Sequence, residues 1–283
     1  MYFQGFQIRK LFAFLSLQIR RLENTSRFSR ALCLLLTVAL SSFVQAEQGL
    51  ITAARSDDEN LVAELLAAGA DPNTRQGDGS TALHWAAHRN NGEAVQFLLG
   101  SGANPDASNE LGATPLWLAA SNGSAAMVEQ LLTAGANPNA RLRMGETSLM
   151  SASRTGDLDT VSLLINAGAE INAAEEERGQ TALMWAVAQS HRAVASMLLE
   201  HGADLNARSK VWYQLENTAG NTNPSGNYRM AHGGSSAIMF ASRVGDIDTA
   251  ETLLDAGANV NDTAASGVSA LTQAAHSGHE ELA

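Results

Sequence analysis

A chain of 283 residues with 45% hydrophobic content can bury one or two ordinary cores, which excludes wholesale disorder. Six of the 18 basic residues but only one of the 29 acidic ones precede Glu47, so the remainder sets 12 basic against 28 acidic groups. That net charge of -16 disfavours sequence-independent binding to nucleic acid, which is built on cationic contacts, and the only cysteine, Cys33, lies in the apolar leader, leaving no thiol chemistry to a chain without it.

Residues 1–46 form the leader. Within it, 27–46 read as a secretory signal: Arg27 and Arg30 supply a basic start, Ala31 to Leu40 an apolar core, and Val44-Gln45-Ala46 a small-x-small cleavage site. The apolar core is shorter than the roughly 20 residues that span a bilayer, which favours a cleaved signal over an uncleaved anchor. Cleavage after Ala46 predicts a secreted or periplasmic chain with no membrane insertion.

From Gly49 onward the sequence repeats. Gly-Ala-Asp/Asn/Glu-x-Asn/Asp begins at Gly69, Gly102, Gly135, Gly168, Gly202 and Gly257, at spacings of 33, 33, 33, 34 and 55. A second marker, Thr or Ser followed by a small residue and an aliphatic, begins at Thr81, Thr114, Thr147, Thr181, Ser236 and Ser269, and breaks at the same place. Two markers that share a period and an interruption define a repeat with one insertion, over 208–232, between repeats five and six. The repeat domain is expected to cover 47–283 in about seven units, the last beginning at Gly267 and cut short at Ala283.

One unit shows how the others fold. Thr114 is a good N-cap and Pro115 suits the first helical position, where its missing N–H costs nothing, so a short helix over 116–121 follows and Asn122-Gly123 ends it. Ser124 can cap a second helix in which Val128, Leu131 and Leu132 share a face, as Val62, Leu65 and Leu66 and then Val95, Leu98 and Leu99 do in earlier units. Gly135 ends it and Asn137-Pro138-Asn139 turns toward the next unit. Neither helix is long enough to stand alone in water, so units must stack, and Ala86, Ala87, Ala119 and Ala120 permit close approach.

The first-helix strings Thr81-Ala82-Leu83-His84-Trp85-Ala86 and Thr114-Pro115-Leu116-Trp117-Leu118-Ala119 resemble the ankyrin repeat, whose signature reads Thr-Pro-Leu-His-x-Ala. Later units drift to Thr147-Ser148-Leu149-Met150, Thr181-Ala182-Leu183-Met184 and Ser236-Ala237-Ile238-Met239. The resemblance runs from about Gly49 to Ala283 and implies an all-α solenoid of helix-turn-helix units joined by extended β-turn loops.

His84 and His88 stand four apart, a spacing that some metal sites use, but His84 occupies the position where the family's histidine bonds neighbouring loop backbone, and no third ligand is nearby. His276 and His279 read the same way. No nucleophile motif is present, the glycines recur as turn residues, and carboxylates such as Asp157 and Asp246 suit helix starts. The run Glu175-Glu176-Glu177 reads as a solvated loop tip. No catalytic residue, metal or cofactor is expected, and the chain is read as a non-enzymatic, monomeric scaffold.

The resemblance places partner binding in a concave groove lined by loop tips and first-helix ends. Residues matched to those positions include Asn122 and Gln189, together with Arg89, Arg143, Arg154, Arg178 and Arg243, five of the 12 basic residues after Ala46. Such a row suits carboxylates of an acidic partner segment; balancing local Asp and Glu is the alternative. In the insertion, Trp212, Tyr213 and Tyr228 flank a polar Asn/Gly-rich stretch, so its arms either pair and project as a binding element or pack back over the groove. Two other functions are open to this sequence: positioning substrate for a catalytic domain beyond Ala283 or on a partner, and binding a small molecule in the groove near the insertion.

Overall fold

The computed structural model describes residues 49–217 and 227–282. The leader and its signal, together with residues 218–226 of the insertion, lie outside the described residues. The side chains of residues 216, 217, 227 and 228 are likewise left out, Tyr228 among them.

Helices of seven to nine residues follow one another in pairs. The first pair is α1 (residues 49–55) and α2 (Glu59–Ala67), followed by α3 (Ala82–Arg89) and α4 (Gly92–Gly100), α5 (Pro115–Ser121) and α6 (Ala125–Thr133), then α7 (Ser148–Thr155) and α8 (Leu158–Asn166). The fifth pair is α9 (Ala182–Ala188) and α10 (Arg192–Glu200). An antiparallel hairpin, β1 (Val211–Asn217) and β2 (Asn227–Gly233), precedes α11 (Ala237–Val244) and α12 (Ile247–Asp255), and α13 (Ala270–His276) follows. The architecture is an all-α solenoid carrying one β-hairpin.

Sequence-local chemistry sets the helix starts. The Thr114 hydroxyl accepts the Trp117 N–H at 3.2 Å, and the carboxylates of Asp157 and Asp246 accept from Thr160 and Thr249 at 2.7 and 3.0 Å. Ser124 departs from expectation. It holds the N-cap position of α6, but its hydroxyl donates to Oδ1 of Asn90 in the preceding unit rather than capping its own helix.

Packing is between units. Each unit contributes a small set of fully buried aliphatic side chains, such as Val95 and Leu98, Val128 and Leu131, or Val161 and Leu164, to one continuous core. Ala86, Ala87, Ala119 and Ala120 are fully buried between first helices, and burial of this kind is worth about 25 cal/mol per Å² of apolar surface.

The loops are tied by a backbone ladder. The N–H groups of Glu110, Arg143, Glu176, Lys210 and Ala265 donate to the carbonyls of Asp78, Leu111, Met144, Arg178 and Gly233 at 2.6 to 3.0 Å. Each rung joins residues 32 apart. In the ordinary loops the residue that receives one rung and the residue that gives the next are adjacent, as Glu110 and Leu111 or Arg143 and Met144. In the interrupted loop they are Lys210 and Gly233, so the hairpin has opened between two rungs without disturbing either.

Side chains add a second stitch. The amide of Asn73 donates to the Gly102 carbonyl and its Oδ1 accepts from Asn104, and Asn139 and Asn172 repeat this with Gly168 and Glu170, then Gly202 and Asp204. The final Asn of the Gly-Ala-x-x-Asn marker is therefore an inter-unit link.

Gly156 and Gly245 end α7 and α11 with φ of +82° and +83°, and a Cβ on either would stand 2.4 to 2.5 Å from the ring of His191 or His279 in the next unit. Gly69 has φ +91° with no atom within 4 Å of its Cβ position. The left-handed backbone alone costs about 1–2 kcal/mol for a residue with a side chain. Gly156→Ala is therefore expected to destabilise the fold clearly more than Gly69→Ala in urea unfolding; equal losses would show that the histidine ring gives way freely.

Candidate partner-binding face

Donors at the ends of the first helices fall into two groups. In the N-terminal units they are committed to the scaffold. The Arg89 Nε donates to the Arg55 carbonyl at 3.0 Å, and the Asn122 amide donates to the His88 carbonyl at 2.9 Å. In the C-terminal units histidines do this work. The Nε2–H groups of His191 and His279 donate to the carbonyls of Arg154 and Arg243 at 3.0 and 3.2 Å, so these two arginines are anchored through their backbone while their guanidinium groups project.

Three ion pairs occur among the described residues, Arg141–Glu170, Arg192–Asp248 and Arg208–Asp262, and none uses Arg89, Arg143, Arg154, Arg178 or Arg243. All five of those arginines are exposed. Arg154 lies over the Trp185 ring at 5.2 Å and Arg243 over the Phe240 ring at 4.7 Å, geometries that hold a guanidinium by cation–π attraction without neutralising it. Burial, and then the charge of Arg178, pull the Arg243 guanidinium below its ordinary pKa, which puts two like charges in each other's field. Arg143 spends its backbone N–H on the loop ladder, and Gln189 is exposed at the end of α9.

One carboxylate does enter this face. Glu146 accepts from Trp117 Nε1 at 3.3 Å; burial raises its pKa, and the nearby Arg154 charge opposes the rise. By contrast Glu175, expected to be solvated, is 7% exposed and organises its loop by accepting the N–H groups of Glu177, Arg178 and Gln180 at 2.6 to 2.9 Å. Asn109 Oδ1 serves the same purpose two loops earlier by accepting from Leu111 and Ala113. The expectation fails because Glu175 holds the place that Asn109 takes in its own loop, and three backbone N–H groups draw its carboxylate inside the turn.

Several residues of this face escaped the sequence reading. Arg55 occupies the position equivalent to Arg154, one unit before the first Thr marker, and lies over the Trp85 ring at 4.6 Å. The indole N–H groups of Trp85 and Trp185 are buried without a hydrogen-bond partner. The signal was available: both tryptophans hold the variable position of the six-residue first-helix string.

On the hairpin, Trp212 stacks on His232 with ring centroids 4.4 Å apart and Arg229 lies over Tyr213 at 4.7 Å. Val211, Trp212, Tyr213 and Leu215 are 48 to 69% exposed, whereas Met230 to Gly233 of β2 are half-buried. Tyr228 stands opposite Glu216 in the strand register. The two arms pair.

His84 is a structural group. Its Nδ1 accepts the Thr81 N–H at 3.1 Å and its Nε2–H donates to the Ala113 carbonyl at 3.0 Å, which uses both nitrogens of the neutral ring. No group of three or more His, Cys, Asp or Glu side chains suited to a metal occurs among the described residues. Among them no helix is long and apolar enough to cross a membrane.

The comparisons with known proteins agree with this architecture. A family model for ankyrin repeats in three copies matches residues 50–142 and 127–209, and a single ankyrin repeat model matches 233–265. The chain belongs to the ankyrin repeat family. The crystallised ankyrin repeat domain of human ASB11 is similar at 25% identity, with a TM-score of 0.66 over 80% of this chain and 90% of that one. No curated protein matches. Ankyrin repeats are in general protein–protein interaction modules and typically non-enzymatic.

Burial lowers the His84 pKa, so the folded state favours the neutral ring. As pH falls below the ordinary imidazole value of about 6.5, the unfolded chain takes up the proton first. Stability tied to His84 is thus complete above that pH and is lost as pH falls toward the lower folded value. Urea midpoints measured from pH 7.5 to 5 are expected to fall less steeply in His84→Gln than in the parent chain; parallel slopes would remove His84 from this role.

Proposed function

We propose that this chain is a non-enzymatic scaffold that captures an acidic segment of another protein on the face formed by its first-helix ends and loop tips. The observation that carries the reading is the separation of roles along that face. Arg89 and Asn122 are consumed in joining units, whereas Arg154, Arg178 and Arg243 stay outside every ion pair among the described residues, with Glu146 the one carboxylate in the field of Arg154, in a repeat domain of net charge -16. Planar guanidinium groups held on aromatic rings present their forks in a fixed orientation, which suits bidentate contact with carboxylates. The bound domain is read as a monomer, working outside the cytoplasm after removal of residues 1–46.

The probe for the face is a fluorescent peptide of consecutive Glu residues. Arg154→Glu combined with Arg243→Glu is expected to weaken its binding by about tenfold or more at low salt, a loss that shrinks as salt screens the charges. Arg141→Glu, altered at a residue already paired with Glu170, is the control and should change little. Equal binding by the double variant and the parent would sink the reading.

The compartment has its own test. Chain recovered after export is expected to begin at Glu47 on N-terminal sequencing; an intact leader on cytoplasmic protein would overturn that assignment.

A further inference from the structure

We propose that the outer edge of β1 is a strand-addition site, where an extended stretch of the partner pairs as a third strand beside the arginine face. The acidity of that stretch rests on the proposed function; the pairing itself stands on the hairpin's own geometry.

The direction of the edge follows from bonds at the hairpin's base. Ser209 N–H points inward to the Ser235 carbonyl, and Lys210 N–H points outward to the Arg178 carbonyl. Backbone groups alternate along a strand, so the N–H groups of Trp212 and Gln214 project on the same outer side as Lys210. That side carries the ladder that already joins loop to loop, and the Lys210–Arg178 rung is the last bond on it among the described residues. A segment pairing there continues a hydrogen-bonding pattern that the solenoid has begun.

Three features make this edge a binding element rather than a protected one. Edges are commonly blunted by proline, by bulges or by inward charges, and Val211 to Leu215 contains none of these. A two-stranded hairpin is at best marginally stable by itself in water, so a third strand is strongly favoured when one is offered. Its exposed apolar side chains give an incoming strand something to cover on both faces, with Val211, Tyr213 and Leu215 on one and Trp212 on the other. The cations nearby then select the partner's charge: Arg178 at the foot of the edge and Arg229 over Tyr213 are outside every ion pair among the described residues. Strand addition of this kind draws affinity from main-chain bonds and specificity from alternate side chains.

Two synthetic peptides test it, one alternating Thr and Val and one with the same strand preceded by consecutive Glu. The readout is backbone amide exchange at Trp212 and Gln214. Protection of both amides by about tenfold with the Glu-strand peptide is expected, with Tyr213 unchanged and protection lost in Gln214→Pro. The helical circular dichroism of that variant should match the parent, as should that of a chain joining Lys210 directly to Gly233. Peptide binding without protection at Trp212 and Gln214, or no protection at about 1 mM peptide, would overturn the proposal. A concentration-dependent doubling of mass abolished by Gln214→Pro would give the edge to a second copy and overturn it as well. Equal protection by both peptides supports the edge and counts against the arginine reading, which separates the two.

Discussion

Every other feature of this molecule depends on the contact between one unit and the next. A helix of seven to nine residues does not persist in water by its own hydrogen bonds, and a pair of them has an apolar face that nothing in the pair can cover. The neighbouring unit covers it, and the neighbour must arrive in register. Register is fixed twice: by the backbone rungs that join residues 32 apart and by the Asn side chains that reach across to the next Gly-Ala turn. Stability in such an array is a sum over units and interfaces, so a local change is felt chiefly at its two neighbours.

The same arrangement explains how the chain accommodates an insertion of the hairpin's size. A loop tip receives one rung and gives the next, and these two residues tie it to its neighbours. Between Glu176 and Arg178 one extra residue fits, and between Lys210 and Gly233 a whole hairpin does, while the flanking rungs keep their lengths. Inserted length is tolerated because closing a longer loop costs only logarithmically more, and here the ends are already held.

Much of this was legible in the sequence. The two markers gave the period, the apolar triplets gave the buried faces, and Thr114, Asp157 and Asp246 announced the helix starts. What escaped is what crosses between units. Ser124 looks like a cap and instead bonds Asn90; Glu175 looks like one of three solvated acids and instead holds its loop together. Ser124's partner lies a full repeat away; Glu175's donors are close in sequence, but only the path of the turn gathers their N–H groups on its carboxylate. Arg55 was missed for a related reason, since the first unit lacks the Thr marker that aligns the others. The arms of the insertion were recognisable by their aromatics, but no periodicity stated whether they would pair or fold back.

The first-helix ends show how scaffold bonding decides which side chains are spent on joining units. At each first-helix end a carbonyl needs a donor, because helix ends leave carbonyls unpaired. Where Arg89 or Asn122 meets that need, its side chain is no longer available to a partner. Where His191 or His279 meets it from the following unit, no arginine side chain is spent on the carbonyl, and in both cases the residue that owns it is an arginine. The histidine in turn requires glycine at the helix stop, because its ring lies where a Cβ would stand at Gly156 and Gly245. A His in one unit, a Gly in the one before and an Arg two residues ahead of that Gly thus form one linked set. The set occurs twice, as Arg154, Gly156 and His191 and as Arg243, Gly245 and His279, on either side of the hairpin-bearing loop.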